Sequence, residues 1–294
     1  MDNMRLSFFT EDDTFPFFIQ YGSHNKRLHL HGHDDFFELT IVLGGEATHL
    51  VGNERSQIKK GDVFVMGNDI MHGYEEPHDF RICNIMFRPE ALLSADYDVK
   101  KLPGFHSLFL LEPLFNTPQG FQSRLTLDAE QFRTICQLID ITIAEYNAVQ
   151  PGRKTLLLSY FMQMVVLLSR FYDDRNRYQR LVKTGHREIA EIATAAAFME
   201  NHYMETLPMQ RILAESHYSQ RHFIRLFSSA YHMPPLKYLL GIRIRHACTL
   251  LRETDLSIME IATMCGFEDS NYFSRIFRSN MNCSPSEYRK KTSV

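Results

Sequence analysis

No stretch of the 294-residue chain approaches 18 uncharged apolar residues, and its start, MDNMRLSFFTEDDTF, places acid where a secretory leader needs an apolar run. A membrane span and export are both disfavoured, so a cytoplasmic protein is expected. Cysteine is scarce: Cys83, Cys136, Cys248, Cys265 and Cys283 form no C-x-x-C pair, and an odd number closes no disulfide framework. Reduced and mostly buried thiols are expected. Glycine and proline number 14 and 11, too few for a fibrous or low-complexity chain. What is present, 44% hydrophobic and 23% charged residues, is the balance of an ordinary globular protein, and the length suits two domains.

The net charge of −3 conceals an asymmetry. From Arg170 onward 18 Lys and Arg outnumber 13 Asp and Glu, a net +5, which leaves −8 on the part before it. An acidic half joined to a basic half implies a polyanion partner for the second.

Between Leu28 and Phe87 short β-branched and aromatic segments alternate with turn signals. Glu38 to Leu43 ends at Gly44-Gly45, Ala47 to Val51 at Gly52-Asn53, and Asp62 to Met66 at Gly67-Asn68-Asp69, before a last segment from Arg81 to Phe87. That spacing predicts an all-β barrel or sandwich. Residues 90 to 127, interrupted by Pro103, Pro113 and Pro118, read as loops with short helical pieces. From Asp128 the apolar period becomes helical through Phe132, Ile135, Cys136, Ile139 and Ile143. Pro151-Gly152 separates this helix from Thr155 to Phe171, an apolar run that suits either a core helix or a dimer seam.

The charge-dense segment 174–187 reads as a linker between an N-terminal domain, 1–173, and a C-terminal one, 188–294. Beyond it the pattern is all helix: Glu188 to His202, Met209 to Glu215, Ser219 to Ala230, Pro235 to Arg252, Ile258 to Cys265, Asn271 to Arg278 and Pro285 to Lys290. The fold class is therefore α+β with two domains, a β-barrel carrying a helical hairpin and then an all-α domain.

Two segments of the helical half resemble each other. Arg211 to Glu215, then His217-Tyr218-Ser219, then Arg221 to Phe227 parallels Met259 to Thr263, then Cys265-Gly266-Phe267, then Ser270 to Phe277. Each is a short helix with a small alanine, a tight turn and a second helix ending in phenylalanine, the layout of a helix-turn-helix. Ala214 and Ala262 are expected to permit close helix crossing, Gly266 a positive φ, and Ser219 a cap. Phe223, Leu226 and Phe227, like Phe273, Ile276 and Phe277, fall at i, i+3, i+4 and turn inward. That directs Arg221 and Arg225, and Asn271, Ser274 and Arg275, outward, the residue types that read base edges and grip phosphates. A single exposed arginine is usually only solvated, but Arg225 and Arg275 occupy matching places in two units joined by one long helix.

The chain resembles the AraC/XylS transcription regulators through Arg243, Ala247, Leu250-Leu251, Thr254, Ile258, Ile261-Ala262, Gly266-Phe267, Ser270, Tyr272-Phe273, Phe277, Ser284-Pro285, and Glu287-Tyr288-Arg289. The resemblance spans roughly residues 188 to 291. It implies binding of double-stranded DNA in two successive major grooves through Arg221, Ile224, Arg225, Ser270, Asn271, Ser274 and Arg275. Ile224, often polar in the family, is placed either to meet a thymine methyl or to miss the base edges. RNA polymerase as a further partner and no catalytic activity go with the same resemblance, and a homodimer through the barrel half is expected from the apolar helix Thr155 to Phe171 and the barrel edges.

In the acidic half, His31-x-His33-x4-Glu38-x6-Gly45 and Gly61-x10-His72 resemble the two motifs of the cupin barrel, although Gly67 and Asp69 stand where Pro and Gly are usual. Alternate residues on a strand share a face, so His31 and His33 point together and Glu38 and His72 complete a cluster. Such a cluster suits a polyol bound by donors and acceptors, a divalent metal without any further cofactor, or a purely structural set. Phe36, Phe37, Tyr74 and Phe80 are placed to stack on a sugar or to fill the barrel core. The run from His31 to Asn84 resembles the family's sugar-responsive members, particularly those answering to rhamnose. The Phe-rich head, Phe8 to Phe18, is expected to be a first strand or an arm over the pocket. Three functions follow: a regulator gated by a small sugar, a metal-dependent cupin enzyme or metal sensor with an appended DNA domain, and a DNA-binding protein whose barrel only dimerises.

Overall fold

The computed structural model describes residues 3–10, 12, 14–68, 70–89, 97–111, 124–179, 187–214, 216 and 218–292. The strands β1 (Asn3–Met4), β2 (Phe17–His24), β3 (Leu28–His33), β4 (Phe37–Val51), β5 (Glu54–Lys59), β6 (Asp62–Met66), β7 (His72–Phe87) and β8 (Leu125–Thr126) form one sheet ordered β1-β3-β7-β4-β6-β8, with β2 also on β7 and β5 also on β4. Two long strands hold it together. The first half of β4 pairs with β6 and the end of β7, and its second half with β5 and the start of β7. The two halves of the bent sheet pack face to face, since Val42, Phe64 and Met66 from one share a buried cluster with Val51, Ile58 and Tyr74 from the other.

Gly44-Gly45, expected to end a strand, instead lies inside the continuous β4. The pairing shifts register between Val42 and Thr48, and Gly45 takes φ +68° where a Cβ would run into the carbonyl oxygen of His78. Hydrogen bonding to β7 resumes on both sides, so the glycines make a bulge that bends the strand and do not reverse it. On β7 itself, Glu76 and Asp79 also adopt positive φ, 49° and 47°, beside the same corner. Gly52-Asn53 does close a two-residue hairpin, between Val51 and Glu54.

The Phe-rich head runs into a strand, and the residues before it form another. Residues from Phe17 onward are strand β2, while β1 lies parallel to β3 with Met4 beside His33. Leu6 packs with Phe36 and Met86 under Phe9 and Phe18. In the region read as loops, Asp98–Lys101 and Pro103–Phe105 are helical turns, continuing as wider turns over His106–Leu111. Pro113 and Pro118 lie outside the described residues, as does Asp69.

Helix α1 (Ala129–Asn147) opens with a capping box between Asp128 and Gln131, and α2 (Arg153–Gln179) completes the hairpin. Leu157, Phe161, Met164, Val165, Leu168 and Tyr172 recur on one side of α2 and are buried, with Phe161 5.3 Å from Phe17 and 5.0 Å from Phe87. Within Arg153–Asp174 this helix is long and apolar enough to cross a bilayer, at mean hydropathy 1.3, which counting uncharged runs did not flag. Packing on the barrel accounts for its apolar side. Residues 174–179, read from sequence as the start of a linker, are the last residues of α2, and 180–186 lie outside the described residues.

The chain divides into two compact units, Met1–Ala95 with Leu102–Ala193, and Asp96–Lys101 with Thr194–Val294. Helix α3 (Arg187–His202) leads into α4 (Met209–Ile212), α5 (Gln220–Tyr231), α6 (Pro235–Glu253), α7 (Ile258–Met264), α8 (Ser270–Met281) and α9 (Pro285–Thr292). Helix α7 starts with a capping box between Ser257 and Glu260, whereas α4 follows Pro208, which gives no side-chain cap, and stops after four residues. Ala214 is consequently exposed in the turn beyond α4, not at a helix crossing. Counting back from the buried Phe223 and Phe273, Ile212 stands where Ala262 does, and both are buried. Gly266 has φ +78° and a Cβ there would lie 2.5 Å from the carbonyl oxygen of Tyr203, so glycine is required.

Candidate effector pocket and nucleic-acid interface

Strand β3 presents His31 and His33 to the barrel interior, and its register sets His72 of β7 directly beside His31. The His31 and His72 rings are 4.4 Å apart, and Nε2 of His33 is 3.3 Å from Nε2 of His72. One ring nitrogen from each of the three lies within 4.8 Å of the other two. Glu38 of β4 reaches the edge of this group, with Oε2 3.8 Å from His33 Nε2. Behind it, Thr40 Oγ1 lies 3.1 Å from both Glu38 Oε1 and Asn84 Oδ1. Phe36 stacks on His33 at 4.3 Å, and Tyr74 is buried 6.4 Å from His72. Of the eight residues expected around this interior, the structure brings His31, His33, Glu38, His72 and Phe36 together with Tyr74 close by, while Phe80 packs 5.0 Å from Tyr74 in the barrel core and Phe37 lies 6.2 Å from Phe87.

Burial sets the charges here. It pulls His33 down to about 3 and holds His31 and His72 below the ordinary histidine value, while it pushes Glu38 up to about 7. Near neutral pH the imidazoles are uncharged and the His33–Glu38 contact is not an ion pair. His33 Nδ1 and His72 Nδ1 are buried with no hydrogen-bond partner in the protein. An unsatisfied buried donor or acceptor costs about 1–3 kcal/mol, so apolar side chains of similar size would fill this interior more favourably.

Sequence reasoning missed His49, fully buried on β4, stacked 4.5 Å from Phe64 and 5.9 Å from His72. A signal was available. His49 alternates with Ala47 and Val51, which face the barrel core, and period two places it on their side.

In the helical unit, α5 and α8 are both twelve residues long, begin at a side-chain cap on Ser219 or Asp269, and end at a left-handed residue, His232 or Asn282. Each buries its phenylalanine pair, Phe223 with Phe227 and Phe273 with Phe277. Arg221 and Arg225 on α5, and Asn271 and Arg275 on α8, are exposed, while Ile224, Ser270 and Ser274 are half-buried on the same sides. The Arg275 guanidinium lies 5.5 Å over the exposed Tyr272 ring, which adds a fixed direction to that side chain. Tyr272 was not singled out for this role from sequence.

Residues 17–154 match the model of an AraC-like ligand binding domain, and residues 212–291 that of a helix-turn-helix domain. The chain is 26% identical over 292 residues, covering 97% of it and 95% of the relative, to the HTH-type transcriptional activator RhaR of Mannheimia succiniciproducens. It is 30% identical over 268 residues, 88% of this chain and 85% of the other, to the activator RhaR of Pectobacterium carotovorum. Among solved structures it is similar to a transcriptional regulator with an AraC-type DNA-binding domain from Chromobacterium violaceum, at 32% identity over 35% of this chain and 91% of that one, with a TM-score of 0.33.

Proposed function

Because the chain belongs to the AraC family of helix-turn-helix transcription regulators, we propose that it activates carbohydrate-utilisation genes when a small sugar, with rhamnose the first to test, enters the barrel beside His31, His33, Glu38 and His72. The observation that carries this reading is the buried, neutral, incompletely hydrogen-bonded histidine cluster next to Glu38. A polyol supplies both the donors and the acceptors such a site lacks. Relatives named as RhaR activators, similar over most of the chain, support the class of effector.

Coupling to DNA requires that the sugar bind two arrangements of the barrel unequally. The N-terminal segment from Asn3 to Phe9 is the element suited to this, because Met4 pairs beside His33 and the Leu6 and Phe9 side chains pack by Phe36. A sugar at one hundred times its Kd stabilises the folded barrel by about 2.7 kcal/mol. His33→Ala combined with Glu38→Ala is expected to abolish the rhamnose-dependent thermal shift of the full-length protein and its transcriptional response. A double variant that responds like the wild type would make the histidines structural. Turnover of the sugar by purified protein would instead support the metal-dependent enzyme.

Homodimerisation through the barrel unit belongs to the same proposal, with RNA polymerase contacted from the DNA-bound dimer. Beyond its buried side, α2 leaves Leu156 41% exposed, and α1 leaves Ile141 44% exposed, on surfaces that suit a second copy. Sedimentation at micromolar concentration is expected to give a dimer, and Leu156→Glu with Ile141→Glu to shift it toward monomer. A wild type that sediments as a monomer with and without sugar refutes the interface.

A further inference from the structure

Arg243 belongs to the pattern that ties the chain to its family, yet it is not among the residues expected to face DNA. Its guanidinium turns instead to residues 203–206, which follow α3 and precede α4. We propose that this segment, held by Arg243, is a brace that fixes the angle between the two helix-turn-helix units, which makes Arg243 a positioning residue for reading two major grooves at one spacing. The inference rests on α5 and α8 both facing DNA, and it goes beyond the sugar reading above.

The segment touches each part that has to be aligned. From the middle of α6, Arg243 donates through Nε to the carbonyl oxygen of Tyr203 at 2.8 Å and through Nη2 to that of Glu205 at 2.7 Å. The turn after α7, in the second unit, lies on the same backbone, since a Cβ on Gly266 would meet the Tyr203 carbonyl oxygen at 2.5 Å and the Met204 carbonyl at 3.0 Å. Thr206 Oγ1 then donates to Glu268 Oε1 at 3.1 Å, one residue before the cap of α8. Toward the first unit, Met209 opens α4 three residues after Thr206, and Arg211 Nη2 lies 2.6 Å from Glu205 Oε2.

Chain continuity through α6 does not by itself fix the angle. Residues 232–234 and 254–257, at the two ends of that helix, are non-helical, and rotation about their backbone bonds redirects a reading helix. A second connection through 203–206 closes a ring of contacts and removes that freedom. Charge-assisted bonds from a planar, forked guanidinium to two backbone oxygens fix direction as well as distance, and a lysine ammonium in the same place does not reproduce them. The Glu205–Arg211 pair, nearly half exposed on both sides, adds little alone.

Successive major grooves face one side of a duplex about 10–10.5 base pairs apart, so one inserted base pair turns the second contact by about 34°. A rigid pair of readers loses one contact there, whereas a loose pair follows the groove.

The test compares two duplexes with full-length protein. One is enriched from a random pool by the wild type. The other carries one base pair inserted between the bases read through Arg225 and those read through Arg275, which the single alanine variants locate. The wild type is expected to prefer the first by roughly ten- to a hundredfold, the loss of one reader's base contacts. Arg243→Met keeps the apolar stem and is expected to weaken binding to the first duplex but not to the second, so that the preference falls to a few-fold. Arg243→Lys should fall in between. Thr206→Ala combined with Glu268→Ala, both exposed, should lower the preference in the same direction, and it covers the case in which Arg243→Met does not fold, as judged by circular dichroism.

A variant that is merely destabilised loses both duplexes alike and keeps the preference. A preference that stays at the wild-type value in the folded variants therefore overturns the brace, whatever happens to affinity. A wild type that binds both duplexes equally overturns the premise that both helices read DNA, and the brace falls with it.

Discussion

Replacing Arg225 and Arg275 together by alanine is expected to weaken binding of the full-length protein to its DNA site by roughly two to four orders of magnitude. Each is exposed at the sixth position of a capped twelve-residue helix, two residues after one buried phenylalanine and two before the next. A bidentate arginine–base contact contributes about 1–3 kcal/mol, and two such contacts in separate units should add. Additivity is itself informative. If both helices enter the DNA at once, the double loss equals the sum of the single losses, whereas one idle reader leaves its single variant unchanged. Anisotropy titrations at fixed salt decide this, with steep loss of wild-type affinity as salt rises. Wild-type affinity in both single variants would remove the two arginines from the interface.

Glu200→Ala is expected to destabilise the helical unit by about 2–4 kcal/mol. Glu200 of α3 is 3% exposed and receives both Arg245 Nη2 contacts, 2.8 Å to Oε1 and 2.9 Å to Oε2, with Tyr238 Oη 3.3 Å from Oε1. Removing one partner of a buried pair costs about 3–5 kcal/mol because the other charge is stranded. The lower figure applies here, since Arg245 keeps about a third of its side chain in water. Against a typical domain stability of about 5–15 kcal/mol this is a large fraction. Glu200→Gln, which keeps the shape and loses the charge, should fall between. Urea unfolding followed by circular dichroism measures both, and an unchanged midpoint for Glu200→Ala would show that the pair contributes nothing net.

Much of the helical unit was legible because its signals are local. The i, i+3, i+4 spacing of Phe273, Ile276 and Phe277, Gly266 in the turn, and Pro235 and Pro285 opening helices each act within a few residues. Where the reading slipped, the deciding partner was distant in the chain. Gly44-Gly45 has the composition of a turn, and only pairing with β7, some thirty residues on, makes it a bulge. The Glu200–Arg245 pair joins helices whose contact no periodicity encodes.

The sequence by itself determined the order of elements, the two helix-turn-helix units and their outward arginines, and the chemistry available to the barrel, because residue type and period fix which side chains share a face. Tertiary structure alone decided that His72, from a strand nearly forty residues beyond His33, comes within 3.3 Å of it, that His49 joins the interior, and that Glu38 stops at the edge of the imidazole group. Those distances depend on strand register and on the bend at Gly45. Both are set by long-range pairing, which no local pattern specifies.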